Sequence, residues 1–224
     1  MNSIIANYKA AAQVLSKKPI LLWGLSLMSG LLSALATYFG VLPIISIPIV
    51  ITLEASLAAL MLKGLRGQSV SSADLFAGFN NFKRVAGGMA WMYLWIFIWG
   101  LIPIVGIVFA IIKAYSYRFT PYILMTRPDV GATEAIKLSM KMTNGLKGKM
   151  FWADVFVYLA FFVCVLVIGL FASIPYIGVL FAFVLFVLIV LFSAFSPIFV
   201  GLVQAKFYDD AASGAGAQPQ VEVM

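Results

Sequence analysis

Three ionisable side chains stand inside long apolar stretches of the sequence: Glu54, Lys113 and Arg118. A charge in hydrocarbon costs about 2.5–3.5 kcal/mol even on insertion scales, so each needs a partner or a function. Glu54 follows Pro43 by 11 residues and Lys113 follows Pro103 by 10. With those prolines as depth marks and a rise of about 1.5 Å per residue, both side chains reach the same level near mid-membrane. The spacing predicts an ion pair joining two helices. Such a pair could serve as a lock between hairpins or as one wall of a polar pocket for an ion or small solute; in a third reading, one or both side chains snorkel to the interface. Arg118, close to the polar end of its stretch at Arg127, is expected to snorkel.

Other chemistry is missing from the residue inventory. The chain has no histidine and one cysteine, Cys164. It therefore lacks the nitrogen and sulfur sets that hold zinc, copper or iron–sulfur clusters, and it can form no internal disulfide. No metal site and no cofactor are expected, and Cys164 reads as a small buried hydrophobe. There is no histidine for general-base work, no Walker loop, no serine in a nucleophile elbow and no pair of carboxylates on one helix face. The expectation is a protein that is not an enzyme. Trp91, Trp95 and Trp99 recur every four residues along one helix face, a pattern of packing or lipid contact rather than of a ligand box. Ser26, Ser29, Gly30, Ser33 and Thr37 on one stretch, and Ala55 and Ala59 on the next, are spaced for close helix packing.

The elements that carry these residues follow from composition. Of 224 residues, 63% are hydrophobic and 10% charged, with a mean hydropathy of +1.06. A soluble domain has about 45–50% apolar and roughly 25% charged residues, so both a soluble enzyme and a disordered chain are excluded. Apolar blocks near 20 residues long predict six spans, at 19–40, 43–62, 85–102, 104–126, 150–173 and 176–203. Residues 102–110 (IPIVGIVFA) align with 174–182 (IPYIGVLFA) at an offset of 72, with identity at five of nine positions. Phe119-Thr120-Pro121 answers Phe195-Ser196-Pro197, and Pro43 begins a weaker copy of the turn. The fold class expected is all-α, a polytopic membrane protein with six transmembrane helices as three hairpins over about 19–62, 85–126 and 150–203. Their turns carry Pro43, Pro103, Gly106, Pro175 and Gly178, proline setting direction and the small residue relieving crowding.

Each hairpin is preceded by a segment of helical amphipathicity. Ile4, Ile5, Tyr8, Ala11, Ala12 and Leu15 form a stripe opposite Asn7, Lys9, Gln13 and Lys17. Ser71 and Asp74 resemble a capping box that opens a turn presenting Leu75, Phe76, Phe79 and Phe82. Ile136, Ser139, Met140 and Thr143 share one face of the third, with Gly145 as its C-cap. These segments either lie in the membrane interface or serve as packed connectors.

The formal charge is +7, and every Lys and Arg except Lys113 and Arg118 falls in a terminus or in a linker between hairpins. By the positive-inside rule the termini and linkers are cytoplasmic, each short and amphipathic helix lies on that side, and the three turns lie at the far interface. The surplus charge then meets anionic headgroups at the cytoplasmic face and not nucleic acid. Residues 1–208 form one transmembrane domain; 209–224, small and polar, are expected to be a disordered cytoplasmic tail.

Residues 76–79 (FAGF), 101–107 (LIPIVGI), 114–124 (AYSYRFTPYIL), Arg127-Pro128-Asp129, 134–139 (EAIKLS) and 145–151 together resemble the bacterial integral membrane proteins filed as domain of unknown function 975. The likeness runs over about 150 residues, with Pro103-Ile104-Val105-Gly106 where that family has Pro-Gly. It implies a multi-pass protein of the bacterial cytoplasmic (inner) membrane and no reaction. The expected function is non-catalytic, acting through membrane lipids or an unknown protein partner in envelope maintenance or self-protection. The alternative is a small-solute or ion transporter with a midplane site near Glu54 and Lys113.

Overall fold

The computed structural model describes residues 2–17, 19–39, 43–172, 174, 176 and 178–216, and every regular element among them is helical. In chain order these are α1 (Asn2–Lys17), α2 (Pro19–Phe39), α3 (Pro43–Leu65), a 3₁₀ helix (Ser72–Asn81), α4 (Phe82–Gly100), α5 (Gly106–Ser116), α6 (Thr120–Thr126), α7 (Ala132–Met142), α8 (Lys147–Ala172) and α9 (Gly178–Gly216). Four stretches are long and apolar enough to cross a membrane: Ile20–Tyr38, Ile45–Leu65, Lys147–Ala172 and Gly178–Gly214. The six expected spans are not all found. The third, 85–102, falls in α4, a helix that opens with Phe82, Lys83 and Arg84 and sinks Val85, Ala86, Gly88 and Met89 into the protein core. The fourth, 104–126, is two helices, α5 and α6, parted at Tyr117-Arg118-Phe119.

Pro121 causes that parting. A proline in a helix interior clashes with the carbonyl four residues back, here that of Tyr117. The Tyr117 carbonyl instead accepts the Thr120 N–H at 2.9 Å in a tight turn. α7 repairs the break from the side: the Phe119 N–H donates to Ser139 Oγ (3.1 Å), and the Ser139 hydroxyl donates to the Ser116 carbonyl (2.9 Å). Thr143 Oγ1 lies 3.1 Å from the same carbonyl. Buried irregular backbone persists only where protein satisfies its polar groups in this way.

Among the described residues α2 packs on α3, α4 on α5 and α8 on α9. Gly64 of α3 faces Leu22 of α2, Trp99 of α4 faces Phe109 of α5 at 5.8 Å, and Phe161 of α8 stacks on Phe192 of α9 at 3.7 Å. The 72-residue repeat is visible in two turns. Ile104 and Tyr176 both take φ of 70°, while the Gly106 and Gly178 N–H groups each donate at 2.8 Å to the carbonyls of Ile102 and Ile174. A Cβ on Gly106 would collide with the Gly100 carbonyl oxygen, and one on Gly178 with that of Ala172. Pro43 is the first residue of α3, where its missing N–H costs nothing. Pro175 lies outside the described residues.

The base holds the buried core. It comprises α1, the second half of α3, the 3₁₀ helix, the start of α4, α6, α7, the start of α8 and the second half of α9, with Leu60, Leu75, Phe119, Ile123, Leu124, Met150 and Leu202 fully enclosed. The amphipathic segments pack into it. On α1, Ile4, Asn7 and Ala11 are the buried positions, whereas Ile5 is exposed, so the stripe is rotated from the expected one and takes Asn7 inward. Gly78 lies so close to α3 that its N–H donates to Ser56 Oγ at 3.0 Å. Arg84 reaches from α4 across the end of α6 and donates to the carbonyls of Leu124, Arg127 and Val130, which are the acceptors a helix terminus leaves open.

Residues 209–216 differ from the expected tail. α9 continues through Gly216 because Asp209 pairs with Arg66 at 2.8 Å and Ala211 and Ala212 pack against the core. Residues 217–224 lie outside the described residues. Cys164, expected to be buried, is exposed, since the middle of α8 has no protein neighbour on its outer side.

Candidate functional site

The expected Glu54–Lys113 pair is absent. The ion pairs among the described residues are Lys63–Asp74, Arg66–Asp209, Arg118–Asp154 and Lys206–Asp210. Each takes another partner on α4, and these partners, Tyr93 and Trp99, stand six residues or about 9 Å apart along that helix. Lys113 lies over the ring of Trp99, its Nζ 4.5 Å from the centroid, with Tyr117 at 5.9 Å. A cation above an indole face is held by the ring quadrupole and needs no carboxylate. Trp99, at the turn end of the tryptophan stripe, thus has a defined partner. Trp91 and Trp95, edge to face at 5.7 Å, are exposed.

Glu54 and Arg118 are brought together instead, as walls of one cavity of about 410 Å³. Its lining combines Glu54, Tyr93, Arg118, Tyr122 and Gln204 with apolar Met61, Met92 and Val200. The helical break delivers Arg118: with the α5 ladder interrupted, its backbone sits at a corner and its partly exposed side chain lies on the cavity wall. Arg118 was expected to snorkel, yet its guanidinium lies 3.6 Å from Asp154 and 5.9 Å from the Tyr115 ring centroid. Glu54 Oε2 accepts the Tyr93 hydroxyl at 2.5 Å.

Asp154 is the residue whose expected place changes most. Its position near the start of the fifth span suggests a headgroup-facing carboxylate beside Lys149. It is 8% exposed, two turns into α8, and faces inward. It accepts Gln204 Nε2 at 2.6 Å and the Tyr115 hydroxyl at 3.0 Å. Next to it, Tyr8 of α1 donates to the Ala153 carbonyl, and burial together with the Asp154 charge holds the Tyr8 phenol above its usual range. A second cavity, about 520 Å³, is lined by Tyr115, Arg118, Asp154 and Tyr158, so Arg118 and Tyr158 separate the two chambers.

On its other side Glu54 meets a cavity of about 380 Å³ walled by Ser26, Ser29, Gly30 and Ser33. The small-residue face of α2 was expected to give close packing. It does not at Gly30, where an added Cβ would meet nothing within 4 Å. Ala55 of α3, by contrast, is fully buried.

Tyr93, Asp154, Gln204, Ser139 and Thr143 were not singled out for the site by sequence reasoning. Pro121 was the available signal for Arg118, since a proline inside an apolar run marks a break. Gln204, beyond the expected span end, gave none. Among the described residues no group of histidine, cysteine or carboxylate side chains could hold a metal ion. The arrangement can bind charge of both signs in an apolar surround. Comparison with protein-family models, curated proteins and solved structures finds no match for this chain.

Proposed function

We propose that this protein is a non-catalytic, multi-pass protein of the bacterial cytoplasmic membrane that works by holding a membrane lipid, in envelope maintenance or self-protection, as its resemblance to domain of unknown function 975 allows. In this reading the base and both described ends face the cytoplasm, in line with its basic residues. The observation that carries the proposal is the cavity of Glu54, Tyr93, Arg118 and Gln204. Two of its rim residues, Tyr93 and Tyr158, are exposed among the apolar faces of α4 and α8, so an acyl chain can enter from the side. Native mass spectrometry of the protein released from mild detergent is expected to find a bound phospholipid, lost from Arg118→Ala. A folded protein that carries no lipid would sink the reading.

The broken α5–α6 helix favours a second reading, a small-solute or ion transporter, because discontinuous helices build midplane sites in such proteins. Glu54 would serve it; Lys113, engaged by Trp99, would not. Solute flux into proteoliposomes, abolished by Glu54→Gln, is its signature.

A further inference from the structure

The central cavity presents opposite charges that do not touch each other. Glu54 and Arg118 both line it, yet they form no ion pair. Arg118 has one carboxylate partner, Asp154, at 3.6 Å, well beyond the roughly 2.7–2.9 Å of a charge-assisted hydrogen bond. Most of its guanidinium donors are left for something else. A third group adds direction. Gln204 is 2% exposed, and its Nε2 donates to Asp154 Oδ1, which fixes the amide orientation because a carboxylate only accepts. Gln204 Oε1 is then a buried acceptor with no partner, on a residue that lines the cavity.

A ligand that answers all three must carry anionic oxygens for Arg118, a positive charge for Glu54 and an N–H donor for Gln204 Oε1. The apolar lining by Met61, Met92 and Val200 asks that it also have a hydrocarbon part. We infer that the site takes an amino-phospholipid of the phosphatidylethanolamine type, phosphate on Arg118 and primary ammonium between Glu54 and Gln204 Oε1. A glycerol head leaves the carboxylate and the amide oxygen unanswered. A choline head brings the charge but has no N–H to donate. The inference rests on the lipid-binding reading above and specifies its headgroup.

The test is competition between lipids for the purified protein, using nanodiscs containing equal parts of phosphatidylethanolamine, phosphatidylglycerol and phosphatidylcholine, read by native mass spectrometry. The wild type is expected to retain the ethanolamine lipid about tenfold over either rival, the factor that one charge-assisted hydrogen bond supplies. Glu54→Gln, which keeps size and shape, should lower the preference over the glycerol lipid severalfold while leaving total lipid bound. Equal retention of all three by the wild type overturns the headgroup assignment and leaves lipid binding standing. Retention of none overturns both. Displacement of the lipid by soluble phosphoethanolamine at matched concentration would overturn the lipid as the source of that headgroup.

Discussion

Glu54 and Lys113 each take a partner on α4, the Tyr93 hydroxyl for Glu54 and, six residues on, the Trp99 ring for Lys113. Glu54, Lys113 and Arg118 were legible in the sequence as exceptions to an apolar background, but their partners were not. Spacing along a helix gives height, whereas the direction each side chain points depends on how neighbouring helices are rotated. Glu54 bonds Tyr93 at 2.5 Å, so Glu54→Gln and Tyr93→Phe are expected to couple by about 1–2 kcal/mol in a double-mutant cycle followed by unfolding in detergent. Glu54→Gln and Lys113→Met should instead add to within about 0.5 kcal/mol. A second residue-scale prediction concerns pH. Lys63 Nζ, 2.6 Å from Asp74 Oδ1, donates to it and holds its carboxyl below the usual carboxylate range, outweighing the opposing effect of partial burial. A depressed folded value means that the stabilisation is complete above the unfolded value near pH 4 and disappears as pH falls through the folded value. The melting temperature of the wild type should therefore exceed that of Asp74→Asn at neutral pH, and the gap should close on acidification below about pH 4.

At the scale of elements, the same three-residue signature leads to two outcomes. Phe119-Thr120-Pro121 parts α5 from α6, while Phe195-Ser196-Pro197 lies within a continuous α9. What differs is the neighbour: at the break, the freed groups of Ser116 and Phe119 are met by Ser139 and Thr143 from α7. Sequence showed that α7 is amphipathic and that Ser139 and Thr143 share its inner face. Where that face docks is a tertiary matter. Ser139→Ala removes a donor and an acceptor together, leaving the Phe119 N–H without its side-chain partner and the Ser116 carbonyl with Thr143 alone. It should cost about 1–3 kcal/mol, with faster hydrogen exchange at the Phe119 amide. Ser139→Thr, which retains the hydroxyl, should recover most of it. The turns were read more fully in advance. The 72-residue repeat predicted their recurrence, and the carbonyls that crowd Gly106 and Gly178 explain why a glycine stands at both.

For the whole molecule, membrane spans were easier to find in the sequence than the core. The apolar blocks of α2, α3, α8 and α9 are evident from length and composition, but the most buried residues lie elsewhere, in a base built from short helices and helix ends. α6 has seven residues and is almost wholly enclosed. Tyr208, in the part of α9 closest to the expected tail, stacks on Tyr122 at 4.9 Å, meets Phe119 at 5.4 Å and bonds Thr126 Oγ1 at 3.0 Å. Tyr208→Ala should therefore cost about 3–5 kcal/mol and Tyr208→Phe about 1 kcal/mol, measured by melting in detergent. α9 has 39 residues, which at about 1.5 Å each make a rod of about 58 Å, nearly twice the roughly 30 Å of bilayer hydrocarbon. Pro197 sits where its lipid-exposed part gives way to its buried part, and it borders both cavities beside Glu54. Its ring denies the Ser193 carbonyl a helical bond, which makes this the softest point of the rod. A bend of the rod at Pro197 would therefore move a wall of both cavities at once. Glu54 thus shares with Pro197 the wall between two chambers, and Pro197→Ala would stiffen that wall without changing its charge.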